Sequence, residues 1–194
     1  QTQRRNTALA ILETKPDVLV LNEIENLYTL RNFNSSFLNQ YFNRMLSIDG
    51  NDPRGIAVGL LIRKGFAAEI LAVRTHIDDP LQGQAVTRQS LANFGYMVKG
   101  ALFSRDCLEV DLRVHGKTLT LLVTHLKAQD SKPEVSRARR RVQAEKVAEL
   151  ARVASKAGKL PIVLGDLNTD PVRTPADKSL EPLLKNPLFQ DPFD

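Results

Sequence analysis

Asp166 and Asn168 stand two residues apart, directly after the apolar run Pro161-Ile162-Val163-Leu164 and Gly165. An apolar run closed by glycine reads as a buried strand that stops abruptly. In an extended chain, residues i and i+2 point to the same side. One carboxylate and one carboxamide would therefore face one reacting group. That pair suits phosphate-ester hydrolysis, which needs a base to orient water and a donor for the developing negative charge. The same tetrapeptide also suits a plain turn, because Asp and Asn favour turns.

Two other apolar runs end the same way. Leu19-Val20-Leu21 leads into Asn22-Glu23, and Leu121-Leu122-Val123 leads into Thr124-His125. If these strands are neighbours in sheets, their ends gather Glu23, His125, Asp166 and Asn168 in one cleft. Carboxylate oxygens suit a hard cation such as Mg²⁺, with Mn²⁺ or Ca²⁺ as alternatives. Mg²⁺ keeps several waters and takes only one or two carboxylates from a protein. His125 beside such an ion would work on the phosphate rather than on the metal. Taken singly, each residue has a structural reading: Glu23 as a solvated strand end, His125 as a histidine bonded to backbone. His76 lies in a polar loop and His115 begins a turn, so both read as structural. Cys107 starts a strand and reads as a small core residue.

The elements that must position these groups follow from the pattern along the chain. Arg5 to Glu13 reads as a helix stopped at Lys15-Pro16. Asp17 to Leu21 reads as a buried strand, and residues 27–40 as a helix. Asp49 to Gly55 is dense in turn formers. Ile56 to Ile62 is a strand, with Ala67 to Val73 as a hairpin partner. Residues 74–94 read as a long polar loop. Met97 to Phe103, Leu108 to Val114 and Leu119 to Thr124 read as three strands, the last two joined by a turn at His115-Gly116-Lys117. Ser131-Lys-Pro-Glu134 has capping-box spacing ahead of a helix that carries Val135, Ala138, Val142, Val147, Leu150, Ala151 and Ala154 and stops at Gly158. Strand pairs interrupted by helices predict an α/β sandwich with mixed or antiparallel sheets.

The chain has 194 residues, 42% hydrophobic and 25% charged, which is ordinary for one globular domain. A single cysteine leaves no intrachain disulfide. The longest apolar run is too short to span a bilayer. The net charge of +5 is unevenly spread. Between Lys127 and Lys159 ten Lys/Arg stand against four Asp/Glu, a net +6 that leaves −1 for the rest. Such a segment either attracts polyanions, nucleic acid first among them, or is a solvated helix face.

Together and in this order, Leu19-Val-Leu-Asn-Glu-Ile-Glu-Asn26, Arg54-Gly-Ile-Ala-Val-Gly-Leu-Leu61, Phe103-Ser-Arg-Asp106, Thr124-His-Leu-Lys127 and Ile162-Val-Leu-Gly-Asp-Leu-Asn-Thr169 resemble the endonuclease/exonuclease/phosphatase superfamily. The Asn-Glu-Ile-Glu-Asn form with Arg-Gly-Ile looks most like bacterial members of its nuclease-like branch. The resemblance implies a four-layered α/β sandwich of two packed sheets flanked by helices. It implies Mg²⁺ at Glu23, with Asn22 standing where Gln is usual. It assigns Asp166 to the attacking water, Asn168 to the phosphate and transition state, His125 to the phosphate or leaving group, and Arg105 to a phosphate contact. Ala57 stands where related sequences often carry Asp. The family's first strand and its C-terminal Asp-His pair have no counterpart here, and Asp191 and Asp194 lack that motif. The expectation is therefore a piece of the domain, short at both ends.

The leading expectation is Mg²⁺-dependent phosphodiester hydrolysis in DNA or RNA. A second keeps the site but takes an inositol phosphate or a phospholipid head group, with loop 74–94 setting specificity. A third is a non-catalytic binding module of the same fold.

Overall fold

The computed structural model describes residues 2–81 and 100–190. Helix α1 (Thr2–Thr14) leads to strand β1 (Val18–Ile24), helix α2 (Leu27–Phe37) and strands β2 (Phe42–Ser47), β3 (Ala57–Arg63) and β4 (Ala68–Arg74). Strands β5 (Cys107–Val114) and β6 (Lys117–His125), the long helix α3 (Pro133–Lys156), strand β7 (Leu160–Asp166) and the short helix α4 (Glu181–Leu184) follow. One sheet has the order β1-β3-β2 and is antiparallel throughout. The other runs β4-β5-β6-β7, antiparallel until β6 meets β7 in parallel.

Side-chain alternation along the strands builds the layers. In β3, Leu60 and Ile62 face Leu108, Val110 and Leu112 of β5 and Leu121 and Val123 of β6 in the core between the sheets. Leu61 points the other way and packs with Ala8, Ile11, Leu30, Leu38 and Phe42 under α1 and α2. Leu122 of β6 likewise turns outward, onto Val142, Val147 and Ala151 of α3. The order is helices, sheet, sheet, helix: the four-layered α/β sandwich. β3 and β5 are buried over most of their length; this explains the nearly unbroken apolar sequence of β3, whereas β5 carries the buried Glu109 and Asp111, both bound by Arg74.

Several expectations are corrected. β4 is not the hairpin partner of β3. Both edges of β3 are already taken by β1 and β2, so the chain crosses between layers and β4 pairs with β5 in the other sheet. β2, in a stretch left unassigned by sequence pattern, completes the first sheet. Met97 to Phe103 was expected to be a strand. Residues 97–99 lie outside the described residues, and of 100–103 only Ala101 pairs, in an isolated bridge with Pro80. The capping box does not form: Lys132 is the N-cap, without a side-chain hydrogen bond, and Pro133 opens the helix. The β5–β6 turn forms as expected, with His115 and Gly116 both at positive φ, the signature of a two-residue hairpin.

The basic run on α3 is neither a polyanion patch nor a solvated face at its centre. Arg139 and Arg140 are 1% and 0% exposed. Arg140 donates to Asp177 Oδ2 at 2.5 Å, to Ser179 Oγ at 2.9 Å and to the Lys127 carbonyl at 2.6 Å. Arg139 donates to the carbonyls of Ala101 and Leu102, both at 2.7 Å. The outer Arg137 and Arg141 meet Glu134, Glu145 and Glu181. Among the described residues, no helix is long and apolar enough to cross a membrane.

Candidate active site

The three strand ends do meet. β6 and β7 run in parallel with Thr124 beside Gly165 and His125 beside Asp166. His125 Nε2 lies 3.7 Å from Asp166 Oδ2, close for charges but long for a hydrogen bond. β1 packs against β7 across the sandwich, and the Glu23 carboxylate is near enough to act electrostatically on His125.

Local backbone form explains how each group is presented. In β1, the register with β3 jumps from Leu21↔Gly59 to Ile24↔Ala57. Asn22 and Glu23 therefore oppose the single residue Val58, which is a β-bulge; such bulges re-aim side chains at sheet edges. Glu23 takes φ 58 and is exposed. At the end of β7, Gly165 has φ 131, and a Cβ there would lie 1.8 Å from the Thr124 carbonyl oxygen. Only glycine lets β7 lie this close to β6. Past it, Asp166 Oδ1 accepts the Asn168 backbone N–H at 2.8 Å. Asn168 sits at φ 56. Positive φ at non-glycine residues is uncommon and concentrates where structure holds a functional group in place.

A single carbonyl ties the far side together. Leu126 O accepts from Asn168 Nδ2 at 3.0 Å and from Arg105 Nη2 at 2.7 Å. Arg105 also donates from Nη1 to Asp52 Oδ2 at 3.1 Å. Four buried polar atoms in this region lack a hydrogen-bond partner among the described residues: Asn22 Oδ1, Arg105 Nε, Thr124 Oγ1 and His125 Nδ1. Native interiors rarely leave such groups unsatisfied, so their concentration here marks a place for water or ligand.

Burial, and then the Arg105 charge, hold His125 below the usual histidine pKa, against the opposite pull of Asp166 and Glu23. The imidazole is neutral near pH 7. Among the described residues no three His, Cys, Asp or Glu side chains converge as a metal cage. The exposed Glu23, with the unsatisfied Asn22 oxygen beside it, fits a Mg²⁺ that takes one carboxylate and completes its shell with water and substrate.

A model of the endonuclease/exonuclease/phosphatase family matches residues 5–191. The chain belongs to that family. No curated protein sequence matches it. Among solved structures, the human Nocturnin catalytic domain with bound sulfate superposes with a TM-score of 0.64 at 15% identity, covering 93% of this chain and 61% of that one. Sphingomyelinase C from Streptomyces griseocarneus gives 0.63 at 17% identity, covering 93% and 61%. D. rerio TDP2 complexed with a single-strand DNA product gives 0.61 at 16% identity, covering 92% and 58%. The chain thus spans about three fifths of the length of these structures, and the likeness concerns their fold.

Of the residues expected at the site, His125, Asp166 and Asn168 lie side by side at the ends of β6 and β7, Glu23 is near enough for its charge to reach His125, and the Asn22 Oδ1 is buried next to Glu23 in sequence. Arg105 is adjacent but inside: it is 4% exposed, and both terminal nitrogens are engaged. Sequence reading missed Asp52, which bridges Arg105 and Arg54. It sat in a stretch that read as a turn, and its partner Arg105 lies 53 positions away. Much of the expected specificity loop, residues 82–94, lies outside the described residues.

Proposed function

We propose that this chain carries a divalent-cation-dependent phosphodiesterase site whose substrate is nucleic acid. The observation that carries the reading is the His125–Asp166 pair on adjacent parallel strands, with Asn168 and Glu23 bordering it. Glu23 would hold Mg²⁺, which supplies polarisation of the phosphoryl oxygens and offsets charge on the leaving oxygen. Asp166 is 52% exposed at the strand end, so its carboxylate can accept a hydrogen bond from water and aim it in line. Neutral His125 can donate an N–H to a phosphoryl oxygen without being locked into an ion pair. The Asn168 carboxamide, oriented through Leu126 O, is set beside them to steady the same anion.

The same chemistry serves a phospholipid head group, and one observation favours that second reading. Arg139 and Arg140, the centre of the basic run on α3, are buried and consumed by internal hydrogen bonds rather than offered to a polyanion. A panel of plasmid DNA, single-stranded DNA and a choline phosphodiester, each with Mg²⁺ and with chelator, separates the two. DNA cleavage that chelator abolishes, and that Asp166→Ala lowers by about 10²–10³, is the expected result. Head-group turnover without DNA cleavage would reverse the ranking. Equal activity of wild type and Asp166→Ala would end both.

A further inference from the structure

Arg105, the arginine expected to touch phosphate, is spent on protein. Its guanidinium is buried between Asp52 and the Leu126 carbonyl. That carbonyl also receives Asn168 Nδ2, so Arg105 fixes the oxygen against which Asn168 is set. Its charge also opposes protonation of His125.

Asp52 has a second arginine. Its Oδ1 accepts from the Arg54 backbone N–H and from Arg54 Nε, both at 3.0 Å. Its Oδ2 accepts from Arg54 Nη2 at 3.0 Å. Two parallel N–H···O bonds hold a planar guanidinium in one orientation. Burial works against the Asp52 charge, but the bonds from Arg54 and Arg105 outweigh it and keep the carboxyl far below the ordinary range. Asp52 is therefore ionised at any working pH, and the fork persists. Yet the Arg54 side chain is 62% exposed. Its charge reaches His125 as Arg105's does.

We propose that Arg54, oriented by Asp52, is the phosphate-binding guanidinium of this site, and that Arg105 is a positioning residue for Asn168 and His125. The ligand class is the oxyanion of a phosphodiester or of its monoester product. Asp52 thus divides two arginines between one task outside and one inside. The assignment deepens the phosphodiesterase reading and rests on its site, but phosphate binding can be measured without turnover.

The test is calorimetric titration of the full chain with inorganic phosphate, for wild type, Arg54→Ala, Arg54→Lys and Arg105→Gln, beside steady-state kinetics on a phosphodiester. Arg54→Ala should weaken phosphate binding about tenfold or more, the scale of a lost charge-assisted contact. KM should rise more than kcat falls. Arg54→Lys should recover part of the affinity, because lysine keeps the charge but cannot form the fork. Arg105→Gln should act mainly on kcat, and the acid limb of the pH–rate profile should move to higher pH as His125 loses a neighbouring positive charge. If Arg105→Gln does not fold, Asp52→Asn replaces it and should shift both affinity and pH limb. Phosphate affinity that is unchanged in Arg54→Ala, or absent in wild type, overturns the proposal. Arg54-dependent phosphate binding without any hydrolysis supports it while removing the phosphodiesterase reading. Normal hydrolysis by Arg54→Ala does the reverse.

Discussion

His125 ends β6 at the rim of the sandwich, with Arg105 beside it and Nδ1 unmatched by any described residue. His76 follows β4 and is held on both ring nitrogens, Nδ1 by Asp79 and Nε2 by Glu109, each at 3.0 Å. Its backbone N–H is also bound, by Asp106 Oδ1 at 2.7 Å. Burial alone would lower the pKa of both. At His125 the net charge nearby leaves burial in control; at His76 Glu109 and Asp79 overcome it and raise the pKa. The difference teaches where capacity is kept for a ligand. The His76 ring and the Arg140 guanidinium have a polar partner at every nitrogen. Around His125, several polar atoms lack one. A folded chain leaves buried polar atoms unmatched at a cost, and four such atoms gather around these strand ends.

The largest expected effect separates the two histidines directly. His125→Gln should lower phosphodiester hydrolysis by about 10²–10³ with little change in melting temperature. His76→Gln should leave turnover within about threefold, since on the scale of a general acid–base contribution it supplies none. Comparable losses in the two variants would break the distinction between reserved and matched groups. Steady-state kinetics with a parallel melting curve reads both.

Arg140 sharpens the comparison from the matched side. Arg140→Ala leaves the Asp177 carboxylate buried without its ion-pair partner. Truncating one member of a buried pair costs about 3–5 kcal/mol, so denaturant unfolding should show a large drop in midpoint. Activity per folded molecule should hold. Asp177 itself is held down to a pKa of about 2: burial opposes its charge, but Ser179 and Arg140 outweigh that. Its contribution is present above the ordinary aspartate value near 3.9 and is lost as pH falls towards 2. The gap between wild type and Arg140→Ala should therefore narrow in acid. A gap constant between pH 6 and pH 2.5 would show that packing, rather than the charge pair, sets the cost.

What is legible in the sequence follows the same division. The neighbouring placement of Glu23, His125, Asp166 and Asn168 was legible because each lies within a few residues of the end of an apolar run, and strand ends at one edge of a sandwich converge. The layers were legible in β3, where burial on both faces produces an unbroken apolar run, and in the Leu121–Val123 part of β6; β5 was legible by its alternation instead. Matched groups were not legible. Arg74 binds Glu109 and Asp111, which lie 35 and 37 residues on, and Arg140 meets Asp177 after 37. No local pattern marks such pairs, so the α3 arginines looked like surface charge. β4 was placed in the wrong sheet because adjacency in sequence favours a hairpin, while occupancy of both β3 edges is a property of the assembled sheet. The Gly165 requirement was half legible: glycine marked the end of the strand, but the 1.8 Å approach to Thr124 depends on the parallel pairing.

The smallest expected effect is in how stability depends on pH, where the two histidines should act with opposite sign. The folded pKa of His76 lies above the ordinary histidine value near 6.5. Its ion pairs with Asp79 and Glu109 therefore contribute fully below pH 6.5, and that contribution is lost as pH rises through the folded value. The melting-temperature difference between wild type and His76→Gln should be widest in mild acid and shrink on the alkaline side. The folded pKa of His125 lies below 6.5, so the unfolded chain takes up a proton that the folded chain refuses. Wild type should lose stability as pH falls from 6.5 towards the folded value, and His125→Gln should be spared that loss. In a pH series of melting curves, the His76 variant should approach wild type as pH rises, and the His125 variant should gain on wild type as pH falls. Adding Mg²⁺ should deepen the His125 effect, since a cation at Glu23 opposes a second positive charge nearby. It should leave the His76 series unmoved. A Mg²⁺-dependent change in the His76 series instead would place the cation among Asp79, Glu109 and Asp106, and would move the metal from the unmatched region to the matched one.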